Sequence, residues 1–190
     1  MANLDFITPC LATGGDLPYD DQAALEALEQ WQQLGITHVI DNRLEWSDEG
    51  FVADLAPDIC YLHNGVDDGG QRMADRWFDT GTEFATAALA DPGSKVLVHC
   101  HMGINRGPSL AYAILLATGW DPIEAIDAIR TARPIAGLGY AGDALDWHHR
   151  RSDTPTARRR SDRVDLEKWR TANRIDVVRI IRRIRAAEAS

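Results

Sequence analysis

The sequence predicts an α/β domain, a central and mostly parallel sheet flanked by helices, with a helical extension at its C-terminus. Three observations predict it. Short apolar runs alternate with apolar positions at helical spacing over residues 1–150. One run, Lys95–His99 (KVLVH), is apolar at its three central residues, as a strand covered on both faces requires. Beyond residue 150 the alternation stops and the chain turns strongly basic.

In order, Leu4–Ile7 and Cys10–Ala12 read as short strands ahead of the turn residues Gly14 and Gly15. From Asp20 to Leu34, Ala24, Leu25, Leu28, Trp31 and Leu34 recur at helical spacing, and Gly35 stops the helix. Thr37–Asp41 reads as a buried strand, Asp48–Ala56 as a short helix ended by Pro57, and Cys60–Asn64 as the next strand. Gly65–Gln71, with two Asp and three Gly, is a loop. A helix follows over Arg72–Ala90, then the KVLVH strand, then an apolar helix over Gly107–Thr118. Asp121-Pro122-Ile123-Glu124 supplies an N-cap, a first-turn Pro and a capping-box Glu for a helix running to Arg133, where Pro134 closes it. Gly142–His149 reads as one more helix. We assign residues 1–149 to the folded domain and 150–163, polar and unpatterned, to a basic linker. Residues 164–190 read as an amphipathic basic helix whose stripe is Val177, Ile180, Ile181 and Ile184.

Charge follows this division. Residues 1–149 carry 7 Lys and Arg against 23 Asp and Glu, a balance of −16, and residues 150–190 carry 13 against 6, a balance of +7. An acidic body of that kind is a poor partner for nucleic acid, which needs clustered cations. No run approaches the roughly 18 apolar residues of a membrane span, and the N-terminus lacks the regions of a secretory signal. A cytoplasmic protein is therefore expected. Its three cysteines, Cys10, Cys60 and Cys100, are too few and scattered for a disulfide framework or a zinc cage, and they suit a reducing compartment. No metal or cofactor is expected.

Val96–Ser109 (VLVHCHMGINRGPS) carries the chemistry. A strand ends at Cys100; His101, Met102, Gly103, Ile104 and Asn105 follow; then comes Arg106 and a helix. A helix N-terminus and a nearby guanidinium favour the thiolate. A loop between strand and helix can wrap its N–H groups around an anion's oxygens, and Gly103 permits the tight turn. Arg106 offers a planar fork to two oxygens at once. A thiolate facing an oxyanion cradle is a layout for phosphoryl transfer through cysteine, which also needs an acid for the leaving oxygen. Asp67 and Asp68, on the Gly-rich loop some thirty residues before Cys100, are the candidates.

His99-Cys100-x-x-Gly103-x-x-Arg106 resembles the active-site motif of the protein tyrosine phosphatase superfamily, and the short chain looks like its dual-specificity branch. Thr8-Pro9-Cys10-Leu11 with Gly14-Gly15, Gly35-Ile36-Thr37-His38-Val39-Ile40 and Arg133-Pro134 extend the likeness over roughly residues 4–149. The resemblance implies that family's fold and hydrolysis of phosphate monoesters on protein through a phosphocysteine intermediate, with phosphotyrosine, phosphoserine and phosphothreonine as candidates. It implies Cys100 as nucleophile, Arg106 as phosphate clamp, the loop His101–Arg106 as cradle, Asp68 as general acid with Asp67 as understudy, and His99 as a structural support beneath the loop. One departure stands out: the family usually places Ser or Thr after the arginine, where the hydroxyl helps the intermediate break down, and here Gly107 and Pro108 follow. Slow turnover of the intermediate is expected.

For the remaining candidates, a solvated loop position is the simpler reading of His101, and Asn105 is expected to brace the loop. Arg43 is open between ordering the phosphate loop and an exposed salt bridge. Cys60 is read as a buried strand cysteine in preference to a resolving thiol for Cys100. The six tryptophans (31, 46, 77, 120, 147, 169) are read mostly as core. The basic tail is expected to dock on the acidic body or on a partner, with a membrane surface less favoured. Two alternatives remain beside the protein phosphatase: a non-protein substrate (RNA 5′ phosphate, phosphoinositide or phosphosugar), and a phospho-residue binding module that seldom turns over. Rhodanese-like sulfur transfer fits the His-Cys and Gly-x-x-Arg pattern less well.

Overall fold

A computed structural model describes residues 3–188, with side chains through Ala186. The chain forms β1 (Leu4–Thr8), β2 (Leu11–Gly14), α1 (Asp21–Gln33), β3 (His38–Arg43), α2 (Glu49–Leu55), β4 (Cys60–Val66), α3 (Asp75–Leu89) and β5 (Val96–His99). Six elements thus alternate before β5, and α4 (Arg106–Ala117), α5 (Pro122–Ala132), α6 (Ala141–Arg151), α7 (Thr156–Ala172) and α8 (Val177–Glu188) follow it. The sheet order is β1-β2-β5-β3-β4. β2, β5, β3 and β4 are parallel, and β1 is an antiparallel edge strand.

Alternation along the strands divides the core in two, because successive side chains point to opposite faces. Leu11, Ile40, Val96 and Val98 join one cluster with α3, α4, α5 and α6. Ala12, Val39 and Leu97 join the other, beneath α1 and α2. Helix α4 is buried from Arg106 to Leu116, as a helix apolar on all sides must be. β5 is the central strand, and its carboxyl end opens where helices leave for both faces, the usual place for a ligand in an open α/β sheet.

The expected elements are found, with boundaries moved by tertiary contacts. Cys10 lies in the turn between β1 and β2, where the Thr8 hydroxyl accepts the N–H groups of Cys10 and Leu11. Helix α3 starts at Asp75 instead of Arg72, since Met73 is buried and its N–H donates to Asp143 on α6. The segment 150–163, read as a linker, is mostly helical: α6 runs to Arg151 and α7 begins at Thr156. Few apolar residues mark α7, but Leu166 and Trp169 are buried in the main cluster and Arg158 pairs with Asp162 one turn on. The tail read as one helix over 164–190 is instead the rest of α7 and a separate α8, with residues 189–190 outside those described.

Four tryptophans (31, 77, 147 and 169) are core, whereas Trp120 is partly exposed and Trp46 belongs to the site described below. No described helix is long and apolar enough to cross a membrane.

Candidate functional site

Residues 100–105 carry the chain from the end of β5 into α4. Cys100 is buried, 3% exposed. Gly103 has φ +63°, and a Cβ there would stand 2.4 Å from the Gly14 carbonyl carbon and 2.5 Å from an Arg133 nitrogen. Only glycine fits that turn. The loop's carbonyls are held from outside. Arg133 donates through Nε to Gly103 O (2.6 Å) and through Nη2 to Met102 O (2.9 Å), and Gly137 N donates to Ile104 O (2.6 Å). By contrast, the N–H groups of His101 to Asn105 meet no protein acceptor among the described residues. Such a loop presents donors without acceptors, which is what an oxyanion needs.

Arg106 opens α4 beneath this loop. Its Nη1 and Nη2 donate to the two carboxylate oxygens of Glu45 (2.8 and 2.9 Å), and Nη1 also reaches Val66 O (2.9 Å). Its Nε is buried without a hydrogen bond, 3.6 Å from Asp68 Oδ2. Burial opposes its charge, yet Glu45 and the Cys100 sulfur push the guanidinium pKa up. Arg106 in turn holds the Glu45 carboxyl below the usual carboxylate range.

Asp68, not Asp67, lines the pocket with Cys100 and Arg106. Asp68 Oδ1 accepts from Asn105 Nδ2 (2.6 Å) and from the Tyr140 hydroxyl (2.8 Å). Burial, and then the bond to Asp68, pushes the Tyr140 hydroxyl up to about 12, so it remains a donor. Asn105 uses its other end to accept Gly139 N (2.6 Å). It therefore braces Asp68 and the 137–139 turn at once. Leu138, in that turn, has φ +53°, a strained conformation for a branched side chain. Arg170 of α7 donates to the carbonyls of Leu138 and Gly139, so the C-terminal extension supports the turn.

Beneath the loop, His99 is fully buried and both its ring nitrogens lack hydrogen bonds. Burial pushes its pKa down to about 4, so the ring is neutral at pH 7 and its 3.8 Å approach to Asp41 is no ion pair. Its carbonyl accepts Asn42 Nδ2. Arg43 is no exposed salt bridge: its side chain is fully buried among Asp41, Asp48 and Asp16. Asp16 also binds His101 Nδ1 (2.8 Å), so His101 is held instead of solvated, with the Trp46 ring edge-on at 5.3 Å. Arg43 thus reaches the phosphate loop through Asp16 and His101.

Other expectations are corrected. Cys60 is exposed, not buried. It opens β4 in register with His38, whereas Cys100 lies beyond the far end of β5. That offset is about 13 Å of strand rise, besides the intervening strand, too far for the disulfide considered for it. Gly107 has a reason of its own, since a Cβ would stand 2.9 Å from Val98 O. Helix α4 approaches β5 too closely for a side chain at this position. Ser109 turns away, its hydroxyl accepting Tyr140 N.

The pocket has a volume of about 440 Å³. Its lining includes Val177, Ile181 and Arg185 of α8, which no motif reading placed there. Glu45, Tyr140, Asp16 and Arg170 were missed as well, and Arg133 was noted only for the helix it ends. Among the described residues no group of three or more His, Cys, Asp or Glu is placed to hold a metal ion.

Comparison with known proteins agrees with this geometry. Residues 19–141 match the family model described as dual specificity phosphatase, catalytic domain. Mouse dual specificity protein phosphatase 26 is 31% identical over 119 residues, 60% of this chain and 55% of that relative. The chain thus spans little more than half the length of the curated relatives it matches. Among solved structures, human DUSP28 superposes with a TM-score of 0.64 at 19% identity, covering 80% of this chain and 97% of that one. PTPMT1 in complex with PI(5)P gives 0.64 at 18%, covering 77% and 95%. At such identities the structures speak for the fold, and the family match speaks for descent: the chain belongs to the dual specificity phosphatase family.

Proposed function

We propose that the chain hydrolyses phosphate monoesters on protein tyrosine, serine and threonine through a phosphocysteine intermediate. The observation that carries this reading is the loop around Cys100, whose carbonyls are tied to Arg133 and Gly137 while five consecutive N–H groups meet no acceptor among the described residues. Cys100 Sγ attacks phosphorus in line as the ester P–O bond breaks. Arg106 and the loop N–H groups stabilise the equatorial oxygens, and Asp68 gives its proton to the leaving oxygen. Water then attacks the phosphocysteine, its proton passes to Asp68, the S–P bond breaks, and inorganic phosphate leaves with the thiolate restored. Glu45 must release Nη2 of Arg106 for a phosphate to take both that nitrogen and Nε. A reducing compartment suits a mechanism that depends on a free thiol.

Phosphate release from para-nitrophenyl phosphate without added metal tests the reading. Cys100→Ser is expected to abolish activity, and Asp68→Asn to lower it by about 100-fold, with Asp67→Asn nearly neutral. With Gly107 lacking a hydroxyl, rapid mixing is expected to show a burst of para-nitrophenol equal to enzyme before a slower steady rate. Activity surviving loss of Cys100 would overturn the mechanism, and a linear time course at saturation would overturn slow turnover. A phosphoinositide is the second reading, favoured by the neighbour solved with PI(5)P. Against it, the phosphate loop's own residues add no Lys or Arg beyond Arg106.

A further inference from the structure

Helix α8 lies outside the region matched to the family, which ends at residue 141, yet it forms part of the catalytic pocket. Val177, Ile181 and Arg185, spaced four apart and so on one face, line the pocket together with Met102 and Ile104. Ile180 and Ile184 beside them are half-buried, while Arg179, Arg182 and Arg183 are exposed. The stripe visible in the sequence is therefore turned toward the catalytic domain, and three cations are exposed on the rest of the same helix.

We infer that α8 is a docking element for acid-rich phosphopeptides: Val177 and Ile181 pack against the phosphorylated side chain while Arg179, Arg182, Arg183 and Arg185 pair with carboxylates flanking it. This rests on the hydrolase reading above and names its substrate. Charge complementarity is the argument. Residues 1–149 carry −16 and disfavour an acidic phosphopeptide, whereas α8, part of the pocket wall, carries four arginines, of which Arg185 lines the pocket. A charge of opposite sign at the mouth of a cleft raises encounter rate and fixes register. Twelve helical residues span about 18 Å, the reach of about five residues of extended peptide. A membrane surface fits less well, because an interfacial helix needs its apolar stripe free to enter the lipid. Here two members of that stripe face the pocket and two are half-buried.

The test compares two phosphotyrosyl peptides, one flanked by Glu and one by Gln at the same places, in the full chain and in Arg179→Gln/Arg182→Gln/Arg183→Gln. The readout is the ratio of their kcat/KM values, and the same ratio of affinities in the Cys100→Ser form, where catalysis plays no part. The native protein is expected to favour the acidic peptide by about tenfold at low salt. That preference should collapse toward unity in the triple variant and, in the native protein, as salt is raised. An equal preference in both proteins, or none in the native one, would overturn the docking proposal while leaving hydrolysis intact. So would a variant that keeps its peptide ratio but loses binding to phosphatidylcholine vesicles containing a phosphoinositide. Loss of the hydrolase reading would register separately, as activity persisting in Cys100→Ser.

Discussion

Two loops face each other across the pocket, and they are secured differently. Residues 100–106 are buried except at His101 and Asn105. Arg133 and Gly137 tie down their carbonyls, and His101 is tied through Asp16 to the buried Arg43. Residues 67–72 are all exposed. Tyr140 holds that second loop, donating to Asp68 and accepting from Gly70 N, with Asn105 as the other tie to Asp68. The difference matches the two tasks proposed for them. A cradle of N–H groups stabilises a transition state only if it need not reorganise, whereas an acid that serves two steps with different partners works from a segment able to move.

The comparison breaks most sharply at Gly103. Gly103→Ala puts a Cβ against the Gly14 carbonyl and an Arg133 nitrogen at φ +63°. The backbone strain alone costs roughly 1–2 kcal/mol, and the clash requires Gly14 on β2 or Arg133 to move. A displacement of this kind misplaces the donors, and the expected loss in kcat/KM is more than about 100-fold. Urea unfolding should show a stability loss of roughly 3 kcal/mol. Full activity in this variant would mean that the phosphate loop is no more rigid than the acid loop.

The acid loop should yield a smaller and more selective effect. Tyr140→Phe removes one donor from Asp68 and one acceptor from Gly70, leaving Asn105 in place. A hydrogen bond of this type corresponds to about a 3- to 10-fold change. The fall should be in kcat and larger for phenyl phosphate than for para-nitrophenyl phosphate, since the poorer leaving group depends more on the proton. Equal losses on both substrates would assign Tyr140 to packing instead of to the acid.

What the sequence revealed follows the same divide between local and distant contacts. Cys100, Gly103 and Arg106 were legible because one turn contains them and each residue type has a single use there. The sheet was legible because buried strands carry their signal within a few residues. The residues that finish the site reach it from far along the chain: Glu45 meets Arg106 across 61 positions and Tyr140 meets Asp68 across 72. Neither has a spacing to betray it. Cys60 was misplaced because a short run does not say whether its first residue is covered. Helix α7 was missed because only Asp162, Leu166 and Trp169 of its 17 residues are buried, too sparse a stripe to stand out. The stripe of α8 was read correctly as amphipathic, but nothing in a stripe tells which surface it will meet.

Beneath the phosphate loop the contrast can be sharpened by pH. Burial pushes His99 down to about 4 from 6.5, so the native state refuses a proton that the unfolded chain accepts. Stability is therefore full above about pH 6.5 and falls as pH drops toward 4, by at most about 1.4 kcal/mol per pH unit from this group. His38 and His148, also lowered chiefly by burial, add to the slope, whereas Asp16, raised by burial, acts against it. His99→Phe keeps a ring beside Trp31, whose centroid lies 5.8 Å from that of His99, and deletes the proton site. Urea unfolding at pH 7.5, 6 and 5 should show a shallower decline in this variant than in the native protein. An unchanged slope would mean that the floor of the loop opens to protons as readily as the acid loop does, and the rigidity assigned to the cradle would end at Cys100.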